Sequence, residues 1–331
     1  MTQKSTFLVG FGLHAGSHGD DPDWRGFWGG LIGRLDGAAE FLTLEDRFAD
    51  PGRDGLDAIL LANWLAPRSR DIGIIAGAPL NVLEPFHVST AIATLDYVSG
   101  GRAGLLAQRL DQQRSLDAGR AIGALKGFPA VDPPSLDRDA LAAAEVVRRL
   151  WDSWEDDAVI RDVVSQRYVD GEKLHYIDFQ GADFRVLGPS ITPRPPQGQP
   201  LVATSWTAEA DLALARAADV VFVPAEGDLP GTAAKLRVDG PGTGPKVIAD
   251  LHVKPDVADV ADLIAAAKTS ETQGAHGVRL ILTDPHRQIA PVVDTLVPAL
   301  RTAGLVAQPS GGDLRSRFGL PAARNRYAAA A

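Results

Sequence analysis

EPFHVSTAIATLDYVSGGRAGL, which runs from Glu84 to Leu105, is the most informative part of this chain, and we call it the signature stretch. Its first part has the spacing of a helix with one buried face, with apolar residues at Phe86, Ala91, Leu95 and Val98. The glycines Gly100 and Gly101 end this helix, and Arg102 begins a strand that continues to Ala107. The stretch therefore predicts one helix-to-strand unit of an α/β protein.

Outward from this unit, the same alternation recurs along the whole chain. Strand-like apolar runs cover residues 6–11, 41–44, 71–76, 102–107, 200–204, 219–223, 246–249 and 278–282. Helical patterns lie near residues 26–39, 54–66, 86–98, 138–154, 207–217, 229–237, 256–273 and 286–303. Parallel strands need crossover helices and are near-continuously apolar when buried. We therefore predict a single (β/α)8 TIM-barrel domain over residues 1–331, with an open doubly wound sheet as the alternative.

An insertion at about residues 161–200 separates the fourth and fifth predicted strands. Lys173 to Phe179 and Phe184 to Leu187 are typical of a short hairpin, and the prolines between Ile191 and Pro200 block regular structure. Because the insertion interrupts the barrel after the fourth strand and carries the apolar residues Tyr176, Phe179 and Phe184, we expect it to cover the C-terminal mouth of the barrel. A C-terminal tail at about 308–331 follows the last helix.

Composition narrows the class of function. The 331 residues are 45% apolar and 23% charged, the balance of a globular protein, and the net charge of −9 opposes nucleic-acid binding. The chain contains no cysteine, so disulfides, thiolate metal sites and cysteine nucleophiles are excluded. No apolar run has the length of a membrane span and no signal peptide is evident. We expect a cytoplasmic protein.

In a TIM barrel the active site lies where the strands end and the following loops converge. That rule selects these candidates: His14, His18, Glu45, Asp46, residues 77–80, Gln108, Arg109, Ser205, Trp206, Glu226, His252, Asp284 and His286. A metal-dependent hydrolase is one possible interpretation of the histidines and Asp284. The spacing of His14 and His18 in a glycine-rich loop is not that of a preorganised ligand pair, so we assign no metal site.

Several separated segments resemble the bacterial-luciferase-like flavin-dependent monooxygenases, in particular the nitrilotriacetate and dibenzothiophene-sulfone monooxygenase-like branch. They are residues 41–48, 84–104, 147–158, 188–200 and 314–320. The resemblance implies a TIM barrel, a homodimer, and oxygenation of a small organic substrate with O2 and reduced FMN. In this family a separate flavin reductase supplies the reduced FMN.

The resemblance also implies a set of site residues. We assign His14 as catalytic, Asp46, Gly77, Ala78 and Gln108 as contacts of the flavin ring, and Arg109, Thr204 and Ser205 as contacts of its phosphate. We also expect a cis peptide bond between Ala78 and Pro79, because the superfamily has a cis bond at the end of the third strand and proline lowers its cost.

The sequence departs from the family after the fifth strand. Residues 203–209 read ATSWTAE without glycine, where the family has a glycine- and serine-rich phosphate turn. This departure leaves two alternatives open beside an active FMN enzyme. One is the deazaflavin F420 as cofactor, and the other is a non-catalytic flavin-binding or structural paralogue.

Overall fold

Eight parallel strands close into a barrel in the computed structural model, which describes residues 7–50, 55–123, 127–206, 212–237, 244–254, 260–306 and 311–328. In chain order they are β1 Leu8–His14, β2 Phe41–Glu45, β3 Gly73–Pro79, β4 Ala103–Gln108, β9 Leu201–Ser205, β10 Val220–Pro224, β11 Lys246–Val253 and β12 Gly277–Leu282. β1 pairs with β12, from Leu8 opposite Gly277 to Gly12 opposite Ile281. The TIM-barrel prediction is confirmed and the open-sheet alternative is wrong. Every predicted strand is present.

Helices surround the barrel and connect its strands. They are α1 Trp24–Leu35, α2 Ala58–Leu65, α3 Pro85–Ser99, α4 Gln112–Ile122, α5 Pro133–Asp152, α6 Leu212–Ala217, α7 Leu229–Leu236, α8 Val260–Thr272, α9 Pro285–Pro291, α10 Val297–Thr302 and α11 Leu314–Arg317, with a π-helical turn at Val292–Leu296. The sequence analysis missed α4 and α11. The predicted helix starts at 207–211 and 256–259 lie outside the described residues. None of the described helices has the combination of length and apolar character needed to cross a membrane.

The signature stretch forms α3 and the start of β4, and its sequence explains both ends of the helix. The Glu84 side chain accepts a hydrogen bond from the amide of His87 at the N-terminus, next to Pro85 in the first turn. At the C-terminus Gly100 has φ of 67°, a left-handed conformation that favours glycine. The Arg102 guanidinium then donates to the carbonyl oxygens of Ser99 and Ser69, which fixes the start of β4.

The end of the barrel where the strands begin is closed by the C-terminal segment. Leu314 and Phe318 lie in an apolar cluster with Leu8, Phe41 and inward-facing residues of five other barrel strands. Leu314 also donates its amide to the carbonyl of Gly101, at the end of the signature helix. The segment 314–320 is therefore a structural plug, and the signature stretch meets it at the end of the barrel opposite the mouth.

The insertion forms two small hairpins, β5 Val159–Asp162 with β6 Arg167–Val169, and β7 Phe179–Gln180 with β8 Arg185–Val186. Ile177 packs against Val146 and Leu150 of α5, and Tyr97 of α3 donates its hydroxyl to the carbonyl of Arg194.

The insertion therefore lies along the outer faces of α3 and α5, and the prediction that it covers the mouth is wrong. Ile177, Phe179, Phe184 and Val186 form an apolar cluster with residues of these two helices instead. Of the described insertion residues, those around the β7–β8 hairpin approach the loop after β3.

Candidate active site

A buried ion pair lies inside the barrel, beneath the C-terminal ends of the strands. Arg279 Nε and Nη2 donate to the two carboxylate oxygens of Asp250 at 2.7 and 2.6 Å. Arg279 Nη1 donates to Thr43 Oγ1 at 3.1 Å, and Nη2 also donates to Ser205 Oγ at 3.3 Å. The guanidinium carbon is 3.8 Å from the centre of the Phe222 ring. Burial alone lowers the pKa of Arg279, but the charge and hydrogen bonds of Asp250 outweigh it and raise the pKa.

The mouth side of this ion pair carries Glu45, His14 and Ser205. Glu45 Oε1 is 4.0 Å from Arg279 Nη1, and the Glu45 side chain is 38% exposed. His14 is the register partner of Glu45 on the neighbouring strand, so the alternation of side chains directs both toward the barrel interior. Ser205 is exposed at the end of β9. A polar floor open to solvent therefore lies at the mouth.

Gln108 joins the ends of β4 and β2 by two hydrogen bonds to one residue. Its Oε1 accepts from the amide of Asp46 at 2.9 Å, and its Nε2 donates to the carbonyl of Asp46 at 3.2 Å. Gly77 lies directly beneath this pair. A Cβ at Gly77 would lie 2.3 Å from Gln108 Oε1 and 2.6 Å from the amide nitrogen of Asp46. The glycine is needed here because the neighbouring strands approach too closely for any side chain.

The Asp46 carboxylate orders the loop that follows β2. It accepts hydrogen bonds from the amides of Phe48 at 2.7 Å and Ala58 at 3.1 Å, and Ala58 is the first residue of α2. Burial outweighs these bonds and raises the pKa of Asp46 above its ordinary value. Arg114 donates to the carbonyls of Asp46 and Phe48 at 3.4 and 2.9 Å.

Two residues predicted to contact phosphate are held by other protein groups. Arg109 Nε donates to Asp137 Oδ1 at 2.7 Å, which ties the end of β4 to the first turns of α5. Thr204 is 2% exposed and donates its hydroxyl to the carbonyl of Ala107. Trp206 is 9% exposed and packs in the main hydrophobic core. The rest of the stretch that corresponds to the family's phosphate turn, residues 207–209, lies outside the described residues.

The peptide bond between Ala78 and Pro79 is trans, so the prediction of a cis bond is wrong. The cis bonds of the described residues precede Pro129 and Pro189. Ala78 and Pro79 remain in the regular parallel ladder, opposite Ala107 and Gln108. The extended strand continues through the proline, and it reaches the mouth without a change of peptide geometry.

The histidines of the metal-hydrolase interpretation do not form a ligand group with carboxylates. His286 Nε2 lies 3.3 Å from the carbonyl oxygen of His18, and the His286 ring is 4.5 Å from the ring of Phe27. Across the part of the chain that the structure describes, no three or more His, Asp or Glu side chains come together as a metal site.

The structure thus brings together one part of the predicted site and separates another. Asp46, Gly77 and Gln108 are in contact, Ala78 is buried beside them, and His14 and Ser205 lie on the inward side of the mouth. Arg109 and Thr204 face protein partners instead. Sequence reasoning missed Arg279, Asp250 and Thr43, although each lies between two apolar residues of its strand. Strand alternation places such residues inside the barrel.

A closed (β/α)8 barrel with a polar mouth defines a class of proteins whose function lies at the C-terminal ends of the strands. The sequence profile of the luciferase-like monooxygenase family matches residues 36–237, more than half of the chain. The chain belongs to the luciferase-like monooxygenase family.

Individual relatives agree with this assignment. One of the subunits of pristinamycin IIA synthase from Streptomyces pristinaespiralis is 34% identical over 220 residues, 61% of this chain and 69% of the relative. Nitrilotriacetate monooxygenase component A of Aminobacter aminovorans is 34% identical over 173 residues, 50% of this chain. That alignment spans only 36% of the relative's own length. The resemblance to the nitrilotriacetate monooxygenase branch is confirmed.

A solved structure shows the same architecture at low sequence identity. The crystal structure of a riboflavin lyase with modified FMN and riboflavin superimposes with a TM-score of 0.79 at 19% identity. The match covers 96% of each chain. At this identity the likeness supports the fold and not a shared reaction.

Proposed function

We propose that this protein is a flavin-dependent monooxygenase that oxidises a small organic substrate with O2 and reduced FMN. The observation that carries the proposal is the family match, which extends from just before β2 to the end of α7 and so covers most of the strands that form the mouth. The mouth itself offers a solvent-open polar floor made by His14, Glu45 and Ser205. Reduced flavin activates O2 when bound, and the protein supplies orientation.

We divide the site residues into those that would contact the flavin or the substrate and those that hold the strand ends in position. Ser205 suits a phosphate contact, because its oxygen accepts a hydrogen bond from Arg279 and its own hydrogen is left to donate. His14 and Glu45 suit the substrate side, where an imidazole and a carboxylate can hold or transfer a proton. Asp46 and Gln108 hold the ends of β2 and β4 in place, so we reassign them from ring contacts to positioning residues.

A second candidate function is a non-catalytic flavin-binding or structural paralogue. It is favoured by the hydrogen bonds within the protein that already engage the side chains of Asp46, Gln108, Arg109 and Thr204. F420 in place of FMN is a variant of the first proposal.

Anaerobic titration with photoreduced FMN, and separately with reduced F420, distinguishes these candidates. We expect saturable binding of reduced FMN and rapid oxidation of the bound flavin when O2 is admitted. Ser205→Ala removes one hydrogen bond to a charged group and is expected to weaken FMN binding about tenfold or more. Ser165→Ala is the matched control, because Ser165 is an exposed serine of the β5–β6 turn whose hydroxyl bonds to Asp162.

No binding of either cofactor would favour the structural paralogue. Binding of F420 alone would replace FMN in the proposal. Unchanged FMN affinity in Ser205→Ala would remove Ser205 from the phosphate site while leaving the activity open to test.

Three expectations about context stay predictions. A homodimer is expected from the family and is tested by sedimentation equilibrium, where a monomer mass would contradict it. A partner flavin reductase is tested by substrate turnover with and without an added reductase and NADH. The cytoplasmic location is tested by fractionation of the source cells.

A further inference from the structure

A second cavity lies beside the barrel mouth, between the loop after β3, the N-terminal half of α5 and the β7–β8 hairpin. Its volume is about 620 Å³, within the roughly 300–1,000 Å³ of small-molecule sites. Apolar side chains form most of the wall, among them Leu80, Leu83, Phe184 and Val186. The residues of the mouth floor do not line this cavity. We call this cavity, which Asp139 also lines, the side cavity.

Asp139 is the half-buried carboxylate of the side cavity, and its hydrogen bonding is incomplete. Asn81 Nδ2 donates to Asp139 Oδ2 at 3.1 Å and to the carbonyl of Leu136 at 2.9 Å. Asn81 Oδ1 accepts from the amide of Leu110 at 2.9 Å, so Asn81 is fixed on all sides. Among the described residues no donor reaches Asp139 Oδ1. One carboxylate oxygen therefore remains for a ligand.

Among the residues that the structure describes, the charges around Asp139 do not neutralise it. Burial raises the pKa of Asp139 to about 6, opposed by the Asn81 hydrogen bond and reinforced by Asp183. Arg138 opposes it too, but its guanidinium forms an ion pair with Asp183 at 3.0 Å on the exposed rim. At neutral pH the carboxylate is therefore mostly ionised and partly desolvated, a state that a nearby cation stabilises.

Two further charged residues line the cavity at its surface. Glu84 is exposed and its carboxylate caps α3, which adds negative charge to the rim. Arg185 is exposed on the hairpin, where water screens its charge more than that of the half-buried Asp139. The inner wall is therefore negative and apolar.

We propose that the side cavity binds an amphipathic organic cation, with its ammonium group on Asp139 and its apolar body against Leu83, Phe184 and Val186. An ammonium group supplies donors to the unpaired oxygen, and the apolar body removes the walls from water. A carboxylate ligand would place like charges together, and a neutral alcohol would leave the charge of Asp139 uncompensated. This inference goes beyond the proposed monooxygenase activity and does not depend on flavin binding.

Isothermal titration calorimetry with octylammonium, 1-octanol and octanoate tests the proposal, because the three probes share a chain and differ in head-group charge. We expect octylammonium to bind at least about tenfold more tightly than the other two at pH 7.5. Its affinity should fall between pH 7 and pH 5, as Asp139 takes up a proton.

Two variants assign the binding to this cavity. Asp139→Asn keeps the shape and is expected to abolish the preference for octylammonium. Ala182→Trp, which adds bulk at an exposed lining position, is expected to weaken all three probes. Thermal melts establish that each variant is folded.

Equal affinity for the three probes would overturn the proposal. So would an undiminished preference in Asp139→Asn or unchanged binding in Ala182→Trp. Reduced-FMN affinity, measured on the same preparations, reports separately on the proposed function.

Discussion

Arg279 and Asp250 form a two-bonded ion pair on adjacent strands inside the barrel, with donor-acceptor distances of 2.7 and 2.6 Å. The Arg279 side chain is 2% exposed and the Asp250 side chain 13% exposed. A buried pair of this kind contributes little net stability, but each partner offsets the free-energy cost of burying the other's charge. The pair therefore keeps a charged layer between the apolar lower interior and the mouth.

We expect Asp250→Ala to lower the free energy of unfolding by about 3–5 kcal/mol, because it leaves Arg279 buried without its counter-ion. Urea denaturation at pH 7 measures the change. Glu145→Ala is the control, since it removes half-exposed ion pairs with Arg149 and Arg326 and should cost about 1 kcal/mol or less. Equal losses in the two variants would contradict the special role of the buried pair.

Gly77→Ala should destabilise the protein by about 1–3 kcal/mol, because the added Cβ would lie 2.3 Å from Gln108 Oε1. It would displace the Gln108 side chain and break its two hydrogen bonds to the backbone of Asp46. Flavin affinity should fall with it if the mouth is the flavin site. Gly33→Ala in α1 is the matched control, because no atom lies within 4 Å of its added Cβ. The control should be neutral or stabilising by about 0.5–1 kcal/mol, and a stable Gly77→Ala protein would refute the packing argument.

Asp96 lies in the last turn of α3, and its carboxyl group makes the stability of the protein depend on pH. Burial raises the pKa of Asp96 to about 6, although the amide and side chain of Gln197 donate to its carboxylate. The folded state therefore binds the proton more tightly than the unfolded state, and this stabilisation is lost as pH rises from about 4 through about 6.

We therefore compare the unfolding free energies of the natural protein and of Asp96→Asn. The natural protein's value minus the variant's value should decrease as pH rises across that range. Chemical denaturation of both proteins at intervals between pH 4.5 and pH 7 measures it. A difference that stays constant or grows with pH would show that the hydrogen bonds from Gln197, and not burial, control this carboxyl.

Leu314→Ala should cost about 2–5 kcal/mol in unfolding free energy, because Leu314 is fully buried in the plug of the barrel. Leu60→Ala, at a position 68% exposed on α2, should change stability by about 0.5 kcal/mol or less. Reduced-FMN affinity of folded Leu314→Ala should be unchanged, since the plug lies at the end opposite the mouth. A strong loss of FMN affinity would contradict that separation.

The sequence predicted the barrel well because its strands are mostly buried and most of them read as apolar runs. Val220 to Val223 is such a run, and its predicted and observed positions overlap almost completely. The sequence did not predict α4 and α11. α4 has only Ser115 and Ala118 buried, and α11 is a four-residue helix capped by Asp313, so neither shows a clear apolar period.

The candidate site was predicted less well, since side-chain partners are long-range. Nothing near Gln108 in the sequence indicates that its amide pairs with the backbone of Asp46, and nothing near Arg109 indicates Asp137. Arg279 and Asp250 carried a usable signal, because a charged residue inside an apolar barrel strand must find a partner on a neighbouring strand. The insertion was misplaced since its apolar residues match the outer faces of α3 and α5 as well as they match a mouth.

The plug formed by Leu314 and Phe318 has a consequence for biosynthesis. The apolar layer that it covers includes Leu8 and Phe41, which emerge from the ribosome well before the plug because most of this sequence lies between them. At about 5–20 residues per second, Leu8 and Phe41 wait roughly 15–60 s for the plug. We expect these apolar side chains to be accessible to chaperones during that time, so that added holdase raises the yield of folded protein.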